Sequence, residues 1–187
     1  IIVDKTITLT SLALFDTTTN TLKDALDTWF SDDYPIVVTD EHINTTIIDG
    51  SLQDLSAVII DGNGGCITPT VQGFTIQGGN GTEVDRYYED HEGETVEVKQ
   101  HLGGGIFSYK SNPKIYYNKI QDNGLENDIE TGGAIYASSD TEDCDWSTRR
   151  SKVDEECNND SFDFRYNFFE NNDSRLGMHL SNRKFDG

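Results

Sequence analysis

Two ten-residue stretches, KIYYNKIQDN (114–123) and DFRYNFFENN (163–172), carry the same spacing of residue types. Ile115, Asn118, Ile120 and Asn123 fall on Phe164, Asn167, Phe169 and Asn172, in steps of three, two and three. TVQGFTIQGG (70–79) repeats the steps with Val71, Phe74, Ile76 and Gly79. A step of two returns to the same face of a strand. A step of three that regains that face needs a corner, where one residue leaves the β region. Asparagine tolerates the left-handed conformation and bonds backbone through its amide, so the Asn positions are the expected corners.

If such turns stack one strand spacing apart, Asn118 lies over Asn167 and Asn123 over Asn172, in side-chain ladders. The glycines of GGGI (103–106) and GGAI (132–135) allow sharp bends and close approach between turns. A coil of parallel strands satisfies these demands. Its expected inward residues are Val71, Phe74, Ile76, Ile106, Ile115, Ile120, Ile135, Phe164 and Phe169. The copies lie 44 and 49 residues apart, so each stride holds more than one turn or an insertion.

Two acidic or polar segments, 83–102 and 140–161, interrupt the rhythm and are expected to be inserted loops. A helical period occurs once: Leu22, Ala25, Leu26, Trp29 and Phe30 form one apolar stripe, ended before Pro35. The expected fold is therefore all-β, one domain over 1–187, with one short amphipathic helix and two inserted loops.

Only 34% of the residues are hydrophobic and the mean hydropathy is −0.58, which suits a narrow, continuous core. The formal charge of −20, from 34 acidic and 14 basic groups, repels phosphate backbones and argues against nucleic-acid binding. It would attract Ca²⁺ or basic partners. No run approaches the roughly 18 apolar residues of a membrane span.

ITLTSL, NTTIIDG, VQGFTIQGGNG, GGGIFSYKSNPKI and YNKIQDN resemble the repeats of right-handed parallel β-helix proteins of the pectin-lyase-like type. The similarity runs from about Ile7 to Asn172, outside the helix and both insertions, and is greatest to secreted and surface β-helix domains of bacteria. It implies a right-handed solenoid and an extracellular location. It leaves function open, because this coil carries lyases, hydrolases, adhesins and structural stalks. The clustered Asp, His-Gly and Arg-x-Lys motifs of its polygalacturonase-like members are not found here. Nor is the Arg-x-Pro context of its pectate-lyase-like members. At roughly 20–29 residues per turn the chain would hold about five to eight turns, short for an enzyme groove.

Asp49 and Asp61, both in IIDG, are the catalytic candidates: on successive coils they would form a carboxylate pair. The competing role for each is a structural turn, with Asp bonding backbone and Gly at positive φ. No resident cofactor is expected; the one ion considered is Ca²⁺, through Asp61 and Asn63 of DGNGG or Asp143 and Asp145 of the acidic insertion. Tyr87, Tyr88 and Tyr109 are candidates for stacking on sugar rings, against a plain packing role. Cys144 and Cys157 bracket a 12-residue polar stretch and are expected to form a disulfide, worth about 3 kcal/mol in the chain-entropy model, with Cys66 a buried thiol. Alkylation without reductant followed by mass spectrometry checks this; three labelled cysteines rule the bridge out.

Three functions follow. The first is a non-catalytic extracellular structural or adhesive module. The second is a polysaccharide lyase or glycoside hydrolase, and the third a carbohydrate-binding domain. Ile1, Ile2 and Val3 start a strand at once, and LGMHLSNRKFDG (176–187) reads as the start of another turn, Ser181-Asn182 echoing Ser111-Asn112. The expectation is a segment of a longer surface protein, or a subunit stacking end to end with its own copies into a filament.

Overall fold

Runs of two to four β-branched or apolar residues, punctuated by Gly, Asn and Ser, form short strands that the punctuating residues turn onto new directions. The computed structural model describes residues 1–11, 44–62, 67–124, 131–138, 162–174 and 179–181; for Tyr88 and 179–181 this covers the backbone only.

Three parallel sheets result. The first contains β1 (Ile2–Val3), β4 (Val58–Asp61), β9 (Ile106–Tyr109), β12 (Ile135–Ser138) and β15 (His179–Ser181), in that order. The second contains β2 (Thr8–Thr10), β5 (Thr70–Gln72), β10 (Lys114–Tyr116) and β13 (Asp163–Arg165). The third contains β3 (Ile47–Asp49), β6 (Thr75–Gln77), β11 (Lys119–Gln121) and β14 (Phe168–Glu170). The chain visits first, second and third sheet in turn, each pass pairing with the one before, an arrangement compatible with a β-solenoid. The described residues make four complete passes and begin a fifth.

The matched spacing appears directly in the register. Leu9, Val71, Ile115 and Phe164 lie in one column of the second sheet. Ile48, Ile76, Ile120 and Phe169 lie in one column of the third. Val71, Ile76, Ile106, Ile115, Ile120 and Ile135 have no exposed surface, and Phe74 is buried with them. Phe164 is half-buried against this core. Phe169 is a correction: it occupies the core column, yet 42% of it is exposed. It stands in β14, the last strand of its sheet, and among the described residues has a paired neighbour on one side only.

The corner residue is also not the asparagine. The left-handed conformation falls one position earlier, at Tyr117 (φ 53°), Asp122 (52°), Tyr166 (56°) and Asn171 (50°). On the preceding pass Gly73 and Gly78 hold those places. Asn118, Asn123, Asn167 and Asn172 follow the corner and turn their amides to backbone. Close approach governs Gly79 instead: a Cβ there would lie 2.0 Å from the Gly104 carbonyl oxygen of the next pass.

The insertion at 83–102 is not a loop but an antiparallel ribbon of β7 (Thr82–Glu89) and β8 (Thr95–Leu102), closed by a turn at Asp90–Glu94. The register also places Ser181 opposite Ser138, and hence in the Tyr109 column rather than that of Ser111. The helix expected over 22–30, the insertion at 140–161, and Asn63, Cys66, Asp143, Asp145, Cys144 and Cys157 lie outside the described residues.

Candidate functional site

Strand alternation divides the first sheet into an inward column (Val58, Ile106, Ile135) and an outward one (Ile59, Phe107, Tyr136). The outward rings stack: Phe107 and Tyr136 have centroids 5.6 Å apart at 11°, and Phe107 and Tyr109 6.4 Å apart at 18°. The Lys110 ammonium lies 5.0 Å from the Tyr109 ring centroid. The ribbon folds onto this face. Val84 and Leu102 pack with Phe107 and Tyr136, while Arg86 Nη2 donates to the Tyr136 hydroxyl at 2.7 Å. The guanidinium also lies 5.8 Å from the Tyr136 ring, within cation–π range. At the ribbon's root the hydroxyls of Ser56 and Thr82 are hydrogen-bonded at 2.7 Å. Phe107 and Tyr136 are thereby buried between ribbon and sheet, and of the three rings Tyr109 alone keeps partial exposure.

The tyrosine candidates separate. Tyr109 belongs to that surface. Tyr87 alternates away from Val84 and Arg86, on the opposite face of the ribbon, and donates to Glu97 Oε1 at 3.4 Å. The backbone of Tyr88 pairs with Val96.

The two IIDG aspartates also separate. Asp49 lies opposite Gln77 in the third sheet, and Asp61 opposite Tyr109 in the first, so they do not stack as a carboxylate pair. Asp49 closes a turn: its Oδ1 accepts the Ser51 N–H at 2.9 Å and its Oδ2 accepts from Gln77 at 3.2 Å. Hydrogen bonds from the Ser51 side chain and backbone, then from Gln77, hold its pKa below the usual carboxylate value. Among the described residues no three His, Cys, Asp or Glu side chains cluster as metal ligands do. No described helix is long and apolar enough to cross a membrane.

The ladders carry the densest polar chemistry. Asn118 Nδ2 donates to Asn167 Oδ1 at 3.2 Å, and Asn123 Nδ2 to Asn172 Oδ1 at 2.8 Å. Each amide also completes the corner of the preceding pass. Asn118 Oδ1 accepts the Phe74 N–H at 3.1 Å and its Nδ2 donates to the Val71 carbonyl at 2.9 Å. Asn123 does the same for the Gly79 N–H and the Ile76 carbonyl. Asn167 and Asn172 donate to the Ile115 and Ile120 carbonyls at 2.7 and 2.8 Å.

A second aromatic cluster at the corners was not anticipated from sequence. Tyr117 and Tyr166 stack with centroids 5.0 Å apart at 4°. Beside them Tyr116 donates to Asp163 Oδ2 at 2.7 Å, and Arg165 Nε donates to Asp163 Oδ1 at 2.6 Å. Burial, then the bond to Asp163, pushes Tyr116 up to about 12; burial, then Tyr166, does the same for Tyr117. For Asp163 burial acts upward, but the bonds from Tyr116 and Arg165 outweigh it and its pKa is lowered. The signal was present: YYN and RYN each place a tyrosine directly before the repeated asparagine.

Comparison of the chain with protein-family models, with curated proteins and with solved structures returned no match.

Proposed function

We propose that the chain is a right-handed parallel β-helix of the pectin-lyase-like type that serves as a non-catalytic, extracellular structural or adhesive module. It acts as a segment of a longer surface protein, or as a subunit that stacks end to end with its own copies. The observation that carries this reading is Phe169. It extends the Ile48–Ile76–Ile120 core column yet remains 42% exposed, an apolar end of the column against which a further pass can pack. On the opposite outermost strands β1 and β3 the core-column residues Val3 and Ile48 are buried, and the exposed Ile2 and Ile47 lie in outward columns. The carboxylate of Asp49 is engaged in a turn, which supports a structural role for IIDG over a catalytic one.

Sedimentation over a wide concentration range, with electron microscopy of the same sample, tests the stacking branch. Concentration-dependent growth that Phe169→Lys abolishes is the expected result. A strictly monomeric protein with Phe169 covered by ordered chain contradicts both branches.

A second reading is a carbohydrate surface at Tyr109, which keeps partial exposure beside the buried Phe107–Tyr136 stack. A polysaccharide panel, assayed for binding, reducing ends and unsaturated products with and without Ca²⁺, separates module from enzyme. Cleavage of any member overturns the non-catalytic reading.

A further inference from the structure

The ribbon presents a strand edge of its own, apart from the outermost strands of the three parallel sheets. Hydrogen bonding in an antiparallel pair alternates between residues that bond across the pair and residues that turn their N–H and C=O outward. The Asp90 N–H donates to the Glu94 carbonyl, which makes that pair a bonded one. The alternation then bonds Tyr88 with Val96, Arg86 with Val98 and Val84 with Gln100. Thr95, Glu97, Lys99 and His101 on β8 therefore direct their backbone groups away from β7. The root of this edge already accepts a strand-like partner in parallel: Leu102 bridges Thr131, and the Gly103 N–H donates to the Thr131 carbonyl. Beyond that root, residues 95–99 of β8 are all exposed, and among the described residues the ribbon has two strands only.

We propose that the outer edge of β8 over residues 95–99 is a docking site for an extended, basic segment of another protein, added as a third strand. Main-chain bonds supply such an interaction, and alternate side chains select the partner. Val96 and Val98, 43% and 38% exposed, lie on the face shared with Arg86. Glu97 lies on the other face, with Glu83, Asp85 and Glu89 across the ribbon. A matching strand alternates β-branched residues over the valines with Lys or Arg over the carboxylates. Charge selects this occupant over a second copy. Residues 82–102 hold seven acidic side chains against Arg86 and Lys99, within a chain of net charge −20. Two such edges repel, and the same charges attract a basic strand.

An eight-residue peptide alternating lysine and valine is the probe. Its comparison is the same peptide N-methylated at alternate residues, which keeps the charge and removes the main-chain donors. The unmodified peptide is expected to slow amide hydrogen exchange at Thr95, Glu97 and Lys99, and to bind at least about tenfold more tightly than the methylated one. Equal affinity for the two peptides would mean attraction by charge alone and overturns the proposal. So does failure of both to bind. Concentration-dependent protection of the three amides without peptide overturns it in favour of a second copy.

Discussion

Asn118 completes a corner that belongs to Phe74: its Oδ1 accepts the Phe74 N–H at 3.1 Å from 44 residues further along the chain. Each pass is thus finished by the next. The stack holds together through side chains as well as through strand pairing, and both groups in this bond are buried.

Asn118→Ala strips partners from the Phe74 N–H and the Val71 carbonyl at once. The buried Phe74 N–H left without an acceptor, together with the bond lost at the Val71 carbonyl, should cost about 3 kcal/mol, read as a lower denaturation midpoint in urea with an unchanged slope. Asn172→Ala, in the half-buried last copy, should cost about 1 kcal/mol. Equal losses would contradict the ladder's dependence on burial.

Asp122 holds φ at 52° in the column that Gly78 occupies one pass earlier. A β-branched side chain is strained there, so Asp122→Val should destabilise by about 1–2 kcal/mol. Asp122→Gly should be neutral or stabilising by up to about 1 kcal/mol. The order of the two variants is the test, and Val at least as stable as Gly would remove the corner from this residue.

Gly79→Ala inserts a methyl group 2.0 Å from the Gly104 carbonyl oxygen. Backbone on both sides cannot yield without parting the passes, and the expected loss is about 3 kcal/mol. Thermal unfolding of the variant measures it.

The Tyr116–Asp163 pair makes stability pH-dependent in two windows. Tyr116 is raised from 10 to about 12, so its contribution is intact below pH 10 and falls as pH rises toward 12. Asp163 is lowered from 3.8, so its contribution is present above that value and is lost as pH falls through its folded-state pKa. Ultraviolet titration of tyrosinate should show Tyr116 and Tyr117 ionising near 12. In Tyr116→Phe one late ionisation disappears and Asp163 titrates at higher pH. Ordinary titration of Tyr116 and Tyr117 in the folded protein would refute the corner geometry.

The columns were legible because identical spacing forces identical register: Val71, Ile115 and Phe164 align residue for residue. The corner was misplaced by one residue because tyrosine rarely adopts positive φ, and asparagine was the better local candidate. Gly73 and Gly78 carried the correction one pass earlier. The ribbon was obscured by its acidity, although EVDRYYE and TVEVKQHL flank a DHEGE turn. Asp49 and Asp61 share IIDG but end strands of different sheets, so identical local sequence on successive passes did not put them in one column. The exposure of Phe169 follows from its position on the outermost strand, which spacing alone does not reveal.

Proton–proton contacts in solution test the stacked parallel register most directly. The account predicts contacts from the Ile76 side chain to Ile120 and from Ile120 to Phe169, with Asn118 amide protons close to Asn167. No α-proton pairs should join residues 114–116 to 119–121. Close α-proton pairs between those two strands would make them an antiparallel hairpin and contradict the account.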